Sequence, residues 1–427
     1  MTLALLLGTL LGLAALGVPL AFSILAACLA TLVVFRPGLP LELVAQQFVK
    51  GIDSVPLTAI ALFLLAGELM NSGGVTARIV QFASSLVGHI RGGLAQVSVI
   101  GSMIISGISG SAVADGAAIG SVMVPAMKRA GYPPAFAAAV CETSAVMGPI
   151  IPPSIPMVIY AVLVEQSVGR LFVAGVVPGV LIGLAMMAVV YAVSRRRGYA
   201  RGEWQGLGRV GRSFAVASAA LLTPAIILGG ILGGVFTATE SGAIASVYCL
   251  AVGLLVYREL HFGHLYAALV NAARGTAAVM VIVGASSLMG WIIADLRINE
   301  AAAGVIFSLT RTPAVFLTIV NIFFLIVGLF MDPLAALIVL VPILLPTATG
   351  MGIDPVHFGL IVVINLMIGL CTPPVGYLIY LLAGIAGEPP ARVIRESLPF
   401  LLALLAILAL VTYWPAVSLT LPRMVYG

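Results

Sequence analysis

Apolar residues dominate this chain in windows of span length, parted by short turns that carry Gly, Pro and a few charges. Windows at about residues 2 to 17, 19 to 35, 55 to 71, 170 to 194, 214 to 234, 238 to 257, 275 to 294 and 398 to 418 each come near the ~20 residues that cross a bilayer as an α-helix. Several are short and tightly joined, which implies tilt. Two further regions, 92 to 163 and 313 to 383, are as apolar but are broken at their middles by Gly, Ser and paired Pro. Non-helical backbone at membrane depth has no water to satisfy its N–H and C=O groups, so it survives only buried in protein or lining a cavity. The pattern therefore predicts two re-entrant helical hairpins, about 92–130 and 313–347, and two spans broken at their centres, about 134–163 and 355–383.

Segments 40 to 53 and 76 to 91 follow a different pattern. Leu41, Val44, Phe48 and Ile52 recur at helical spacing opposite Glu42, Gln46, Gln47 and Lys50, and Ile79, Phe82, Leu86 and Ile90 oppose Arg78, Gln81, Ser85 and His89. These read as amphipathic connectors lying in the membrane interface.

Composition removes the soluble alternatives. The chain is 62% apolar and 8% charged, against roughly a quarter charged in a soluble domain, so its exterior must face lipid. The net charge of +5 then matters through where the positive residues fall and says little about nucleic acid. Cys28, Cys141, Cys249 and Cys371 all lie in apolar stretches without CxxC spacing, which reads as small buried hydrophobes. The first 35 residues lack a basic leader and a clear cleavage site, so they are expected to stay in place as spans.

Sliding the chain on itself by 221 positions superimposes Gly107 on Gly328, Pro125 on Pro346, Gly131 on Gly352, Pro134 on Pro355, Gly148 on Gly369, and Pro152-Pro153 on Pro373-Pro374. Composition alone would give roughly 0.7 such identities over this stretch, so the register marks a repeat. Residues 1–194 and 214–427 are the two repeats, joined by an Arg-rich linker at 195–213. If the first hairpin enters from the cytoplasm, fourteen of the 20 Lys and Arg residues fall on that side, the linker carrying Arg195, Arg196, Arg197, Arg201, Arg209 and Arg212. Arg36, Lys50, Arg170, Arg297, Arg311 and Arg423 fall opposite, in keeping with the positive-inside rule. Counting passes inverts the second repeat relative to the first, and inverted repeats with matching broken helices point to a secondary transporter. The fold class expected is thus an all-α integral membrane protein with two inverted repeats.

The breaks carry the chemistry. They are Ser106-Gly107-Ile108-Ser109-Gly110-Ser111, Gly148-Pro149-Ile150-Ile151-Pro152-Pro153-Ser154, Gly328-Leu329-Phe330-Met331-Asp332-Pro333 and Gly369-Leu370-Cys371-Thr372-Pro373-Pro374. Unwound carbonyls suit a hard cation such as sodium, while helix N-termini offer N–H groups and a positive dipole end to an anion. Asp332-Pro333 has the form of a helix start, with an N-cap followed by Pro at the first helical position. Acidic residues expected at membrane depth are Glu68, Asp115, Glu142, Glu240 and Asp332. Asp115 and Asp332 suit a ligand role and a purely dipolar role equally, whereas Glu240, after Thr237, reads as a cap. Glu142 and Ser144 could face the cavity or pack against a hairpin. His89, His261, His264 and His357 sit in connecting positions, and no HExxH, GxSxG or P-loop occurs, so neither an intramembrane enzyme nor ATP-driven transport is supported. Carbonyl rings would also serve a channel; hairpins in inverted repeats favour alternating access.

The runs Gly92-Gly93-Leu94-Ala95, Ser106 through Asp115, Ile151-Pro152-Pro153-Ser154, Thr237-Ala238-Thr239-Glu240 and Gly369 through Gly376 resemble the large membrane subunit of TRAP transporters, the DctM family, over essentially the whole chain. The resemblance implies an elevator-type fold of the ion transporter superfamily and sodium-driven uptake of an organic acid, such as a C4-dicarboxylate, a sugar acid or a keto acid, across the bacterial inner membrane. It also implies two partners, a small four-helix membrane subunit supplied as a separate polypeptide and a periplasmic substrate-binding protein. Sodium ions are the expected co-transported cofactor, with no organic cofactor. Carried over by position, one sodium site takes Ser106, Gly107, Ser109, Gly148, Pro149 and Pro152, and a second takes Gly328, Met331, Gly369, Cys371 and Thr372. Substrate is expected between them, at Ser111, Asp115, Ser154, Asp332 and Thr372. A stand-alone sodium/dicarboxylate symporter of the same broad fold is the other reading, and an intramembrane enzyme a remote one.

Overall fold

The structure, a computed structural model, describes residues 2–199, 201–204, 206–297, 304, 310–329 and 331–427; Met1, Ala200 and Gln205 of the linker, and Phe330 of the third break lie outside them. The described residues are helical with no β-strand, and only a single backbone bridge, Arg91 to Arg201, pairs extended segments. Among the described residues, seven helices are long and apolar enough to cross a membrane: Val55–Ser72, Val168–Arg196, Leu207–Leu232, Ala238–Val256, Phe262–Asp295, Pro333–Gly350 and Pro390–Tyr413.

In chain order the elements are α1 (Thr2–Ala15), α2 (Leu20–Phe35), α3 (Leu41–Ile52), α4 (Val55–Ser72), α5 (Val75–Val87), α6 (Gly93–Ser109), α7 (Ala112–Arg129), α8 (Pro134–Ala145), α9 (Ile155–Leu163) and α10 (Val168–Arg196). After the linker come α11 (Leu207–Leu232), α12 (Ala238–Ala251, prolonged by a π-helical turn Val252–Val256), α13 (Phe262–Asp295), α14 (Pro313–Gly328), α15 (Pro333–Gly350), α16 (Pro355–Gly369), α17 (Tyr377–Ala386), α18 (Pro390–Tyr413) and α19 (Ala416–Tyr426). All four predicted interruptions fall between helices: α6 from α7, α8 from α9, α14 from α15, and α16 from α17.

Two predicted spans differ in length. The window 275 to 294 is the second half of α13, which starts at Phe262 because the preceding Leu265 to Ala273 are rich in Ala and Leu, with no Gly or Pro among them to stop the helix. The window 398 to 418 divides at Trp414, whose φ of −124° and ψ of 82° leave the helical region just before Pro415.

The amphipathic pair settles against spans. On α3, Val44 and Phe48 are partly buried, and α13 accepts them because Gly284 is bare: a Cβ there would meet the Phe48 ring at 2.8 Å. On α5, Ile79 is fully buried and Phe82 meets Phe214 of α11 at a ring separation of 5.7 Å. Ser85 is also buried, although it falls on the polar side of the pattern, because its hydroxyl pairs with that of Ser213 at 2.7 Å. Helices α4 and α12 pack side by side and are tied by hydrogen bonds. Thr239 donates to the Val55 carbonyl at 3.1 Å and Ser246 to the Leu62 carbonyl at 2.7 Å. Both bonds join positions 184 apart, so the two helices run parallel and in register over two turns, close enough that Gly242 faces Leu62 directly. The helix opens on the expected cap: Thr237 accepts from the Glu240 N–H and the Glu240 carboxylate from that of Thr237. All four cysteines are free and buried.

Candidate functional site

Why the chain breaks where it does follows from its residues. At the α6/α7 junction Gly110 takes a φ of +65°, and a Cβ on it would stand 2.8 Å from the Pro153 carbonyl oxygen of the neighbouring break. Only Gly satisfies both the left-handed backbone and the close approach. Ser111 then caps α7, its hydroxyl accepting from the Ala114 N–H at 3.4 Å, and Ser154 caps α9 in the same way through Met157 at 3.2 Å. In the other half Asp332 caps α15 through the N–H groups of Leu334 (2.9 Å) and Ala335 (3.3 Å). Cis peptide bonds stand at Pro152–Pro153 and Pro373–Pro374.

Residues of the first predicted cation set lie together. Asp115 is fully buried and receives the hydroxyls of Ser106 (3.2 Å) and Ser109. Gly148 presses on the same carboxylate, since a Cβ there would come within 2.6 Å of Asp115 Oδ2 and 3.1 Å of the Ser111 carbonyl carbon. Gly107 faces Pro224 of α11, where a Cβ would meet its ring at 2.9 Å with the Pro152 carbonyl oxygen at 3.8 Å, and the Pro149 carbonyl accepts the Ser154 hydroxyl. The last four carbonyls of α6, from Ser106 to Ser109, have no intrahelical donor, as at any helix end. The arrangement thus offers hydroxyls, helix-end carbonyls and one carboxylate in a buried setting.

The second set is tied by backbone. Gly328 and Gly369 touch: a Cβ on Gly369 would lie 2.8 Å from the Gly328 carbonyl oxygen. Thr372 turns its hydroxyl to the Ile368 carbonyl (2.7 Å), and Cys371 donates to the Glu142 carbonyl (3.3 Å), which fastens this break to α8. Met331 continues the turn after α14, its N–H donating to Val327 at 2.9 Å.

Between the sets lie two adjoining cavities. One, of about 190 Å³, is lined by the first residues of α7, α9 and α15, including Ser111, Pro156 and Asp332. The other, of about 380 Å³, adds the start of α17 at Gly376 and Tyr377, with Gly328 and Met331. Four helix N-termini therefore face one space, and among the described residues its lining contains no Lys, Arg or His. Of the residues expected to hold substrate, Ser111 and Asp332 line it. Asp115 and Ser154 are buried behind it, and Thr372 is half-buried in the fourth break with its hydroxyl occupied.

The remaining carboxylates sit elsewhere. Glu68 accepts from Asn271 of α13 at 3.3 Å. Glu142, fully buried, takes the Ser397 hydroxyl of α18, so it packs between α8 and α18. One polar network escaped the sequence reading. Asn365 of α16 donates to the backbone and side-chain oxygens of Asn321 on α14 (3.0 and 2.9 Å), and Asn321 donates to Thr412 of α18 at 2.9 Å. A signal existed, for the shift of 221 puts Asn365 opposite Ser144; both are fully buried, and the Asn365 amide oxygen and the Ser144 hydroxyl have no partner among the described residues. Asn365→Leu keeps the branched outline of the side chain but leaves the buried Asn321 Oδ1 without its donor, so purified protein should lose about 1–3 kcal/mol of stability. Thermal unfolding measures this, and an unchanged midpoint would show the network to be dispensable.

The comparisons with known proteins agree with this architecture. Residues 7–417 match the family described as the tripartite ATP-independent periplasmic transporter, DctM component. The chain is 39% identical over 417 residues to a sialic acid TRAP transporter large permease protein of Vibrio cholerae, covering 98% of this chain and 97% of that one. It is 42% identical over 398 residues to a C4-dicarboxylate TRAP transporter large permease protein of Pseudomonas aeruginosa, covering 92% of each. To the 2,3-diketo-L-gulonate TRAP transporter large permease protein of Escherichia coli it is 37% identical, covering 96% of each. Among solved structures the YdaH transporter of Alcanivorax borkumensis superposes with a TM-score of 0.62 over 88% of each chain at 16% identity, a likeness of fold. With a family match spanning its length and helices fit to cross a bilayer, this chain belongs to the DctM family, the large inner-membrane permease subunits of TRAP transporters, and is a transport protein rather than an enzyme.

Proposed function

We propose that this chain is the sodium-coupled permease of a tripartite importer of an organic acid, working with a small four-helix membrane subunit and a periplasmic protein that delivers the substrate. The observation that carries the reading is the meeting of four helix N-termini at the two cavities, with a carbonyl-rich break on either side. Positive dipole ends suit an anion, and the breaks behind them suit sodium.

The N-termini are not equivalent as anion sites. Asp332 already occupies the first N–H groups of α15 and places a negative charge there, and the second position of α9 is Pro156, which has no N–H. The first turn of α17 spends its Leu378 N–H on the Leu370 carbonyl (3.1 Å), whereas the start of α7 carries no Pro and its cap is a neutral Ser111, so the substrate carboxylate belongs at Ser111, Ala112 and Val113. Sodium at Ser106, Ser109 and the Gly148 break would lie behind it, balancing Asp115 and strengthening the pull on the anion. The 221-residue repeat supports two inverted halves, whose hairpins and broken spans would move together as an elevator against the remaining helices. The relatives named for sialic acid, a C4-dicarboxylate and a diketo-gulonate all serve acids, which supports the substrate class.

The test is uptake of labelled organic acids into liposomes holding this chain and its two partners, omitting in turn the sodium gradient and the binding protein. Uptake should need both. Uptake indifferent to sodium would sink the cation sites, and uptake indifferent to the binding protein would make the chain a stand-alone symporter.

A further inference from the structure

A cavity of about 740 Å³, larger than either substrate cavity, lies away from the four breaks, between α5, the hairpin helices α6 and α7, and the first turns of α11. Its lining is divided by chemistry. Leu94, Val97 and Val122 form an aliphatic wall on the hairpin side, while α11 contributes Arg209 and Arg212. Neither arginine pairs with a carboxylate among the described residues, where the ion pairs formed are those of Arg36, Arg78, Arg197 and Arg392. Both guanidiniums are on exposed residues one turn apart, and Val216 continues their face of the helix onto apolar surface.

One wall of the cavity is a built feature of the fold, and the hairpin wall belongs to the part proposed to move. Its α5/α11 wall is fixed by the buried Ser85 to Ser213 bond at 2.7 Å and by Phe82 against Phe214. A smaller space of about 320 Å³ shares Ser84 and Leu94 with it and runs under the linker, where Arg201 and Glu203 line it. Glu203 is the acidic residue of this region, so positive charge is in excess around the mouth.

We propose that this cavity binds an anionic phospholipid, its phosphate on Arg209 and Arg212 and the first part of an acyl chain along Leu94, Val97 and Val122. The volume falls within the about 300–1,000 Å³ of small-molecule sites, enough for a headgroup and the start of a chain whose remainder stays in the bilayer. Two unpaired guanidiniums select a net negative headgroup over a zwitterionic one, as basic pockets beside membrane helices do. A soluble phosphate would satisfy the arginines but leave the aliphatic wall uncovered, which is why a lipid is the better occupant. The inference draws on the membrane placement of α11 and not on sodium coupling, so either can fail without the other.

The experiment is native mass spectrometry of the full chain, with its small subunit where the two co-purify, after exposure to equal amounts of phosphatidylglycerol and phosphatidylcholine. Phosphatidylglycerol should be retained in preference. In the double variant Arg209→Gln/Arg212→Gln retention should fall about thirtyfold, some fivefold for each guanidinium. Val122→Trp, which keeps both charges but fills the cavity, should also release the lipid, whereas Arg195→Gln/Arg196→Gln, removing the same charge at the end of α10, should not. Retention unchanged in the first two variants overturns the proposal. So does an equal loss in the Arg195/Arg196 variant, which would mean diffuse attraction, or full displacement by excess inorganic phosphate, which would mean a site for soluble anions. A helix of the small subunit found cross-linked in the cavity would overturn it as well.

Discussion

Gly369→Ala should lower the initial uptake rate at least about tenfold while leaving the protein in the membrane. The added methyl would stand 2.8 Å from the Gly328 carbonyl oxygen, 2.9 Å from its Cα and 3.0 Å from its carbonyl carbon. All three are backbone atoms, so no side chain can swing aside and the two breaks must separate. Forcing apart a packed contact of this kind costs about 1–3 kcal/mol or more, and here it displaces the carbonyls proposed to bind the second sodium. Gly384→Ala is the matched control, because nothing lies within 4 Å of its Cβ position and α17 would gain helix propensity there. Transport by Gly369→Ala at the rate of the unmodified protein would mean that the Gly328 contact has no part in the site.

The second large effect is expected of Asp115→Asn. Its carboxylate is fully buried, is met by the hydroxyls of Ser106 and Ser109, and joins none of the ion pairs among the described residues. A carboxylate buried in that position is either protonated or balanced by a compensating cation. If sodium provides it, the isosteric amide should raise the sodium concentration for half-maximal uptake at least about tenfold, a loss of about 1.4 kcal/mol. The titration is run at constant ionic strength with choline replacing sodium. An unchanged half-saturation point with only a lower maximal rate would return Asp115 to the other role open to it, a carboxylate serving the α7 dipole.

What the sequence made legible was whatever depends on local backbone chemistry. The four interruptions, the Ser111 and Asp332 caps and the Thr237/Glu240 box are each written within a few residues, because Gly, Pro and capping side chains act on their own turn. The two proline pairs and the glycines of the breaks recur at a fixed interval of 221 residues, so each interruption in one half pointed to its counterpart in the other. Partners chosen by tertiary packing had no such trace. Glu142 could have faced the cavity or a hairpin, and Ser397, 255 positions away, decided it. The Asn321, Asn365 and Thr412 network joins three helices through side chains that look, one at a time, like stray polar residues in apolar spans. The arginine-mouthed cavity was equally hidden: Arg209 and Arg212 read as orientation charges, and only the placement of α5 and the hairpin gives them a wall to face.

Because Cys28, Cys141, Cys249 and Cys371 are all buried, the unmodified chain is already a quiet background for thiol chemistry. Maleimide and methanethiosulfonate reagents attack the thiolate of an accessible cysteine, so a single cysteine introduced at an exposed position would carry nearly all the label. Cys371 gains a meaning of its own from this, since it is shut against the Glu142 carbonyl within the fourth break. Its native sulfur would register any opening of that break as the onset of labelling, a reporter placed there by the fold without any substitution.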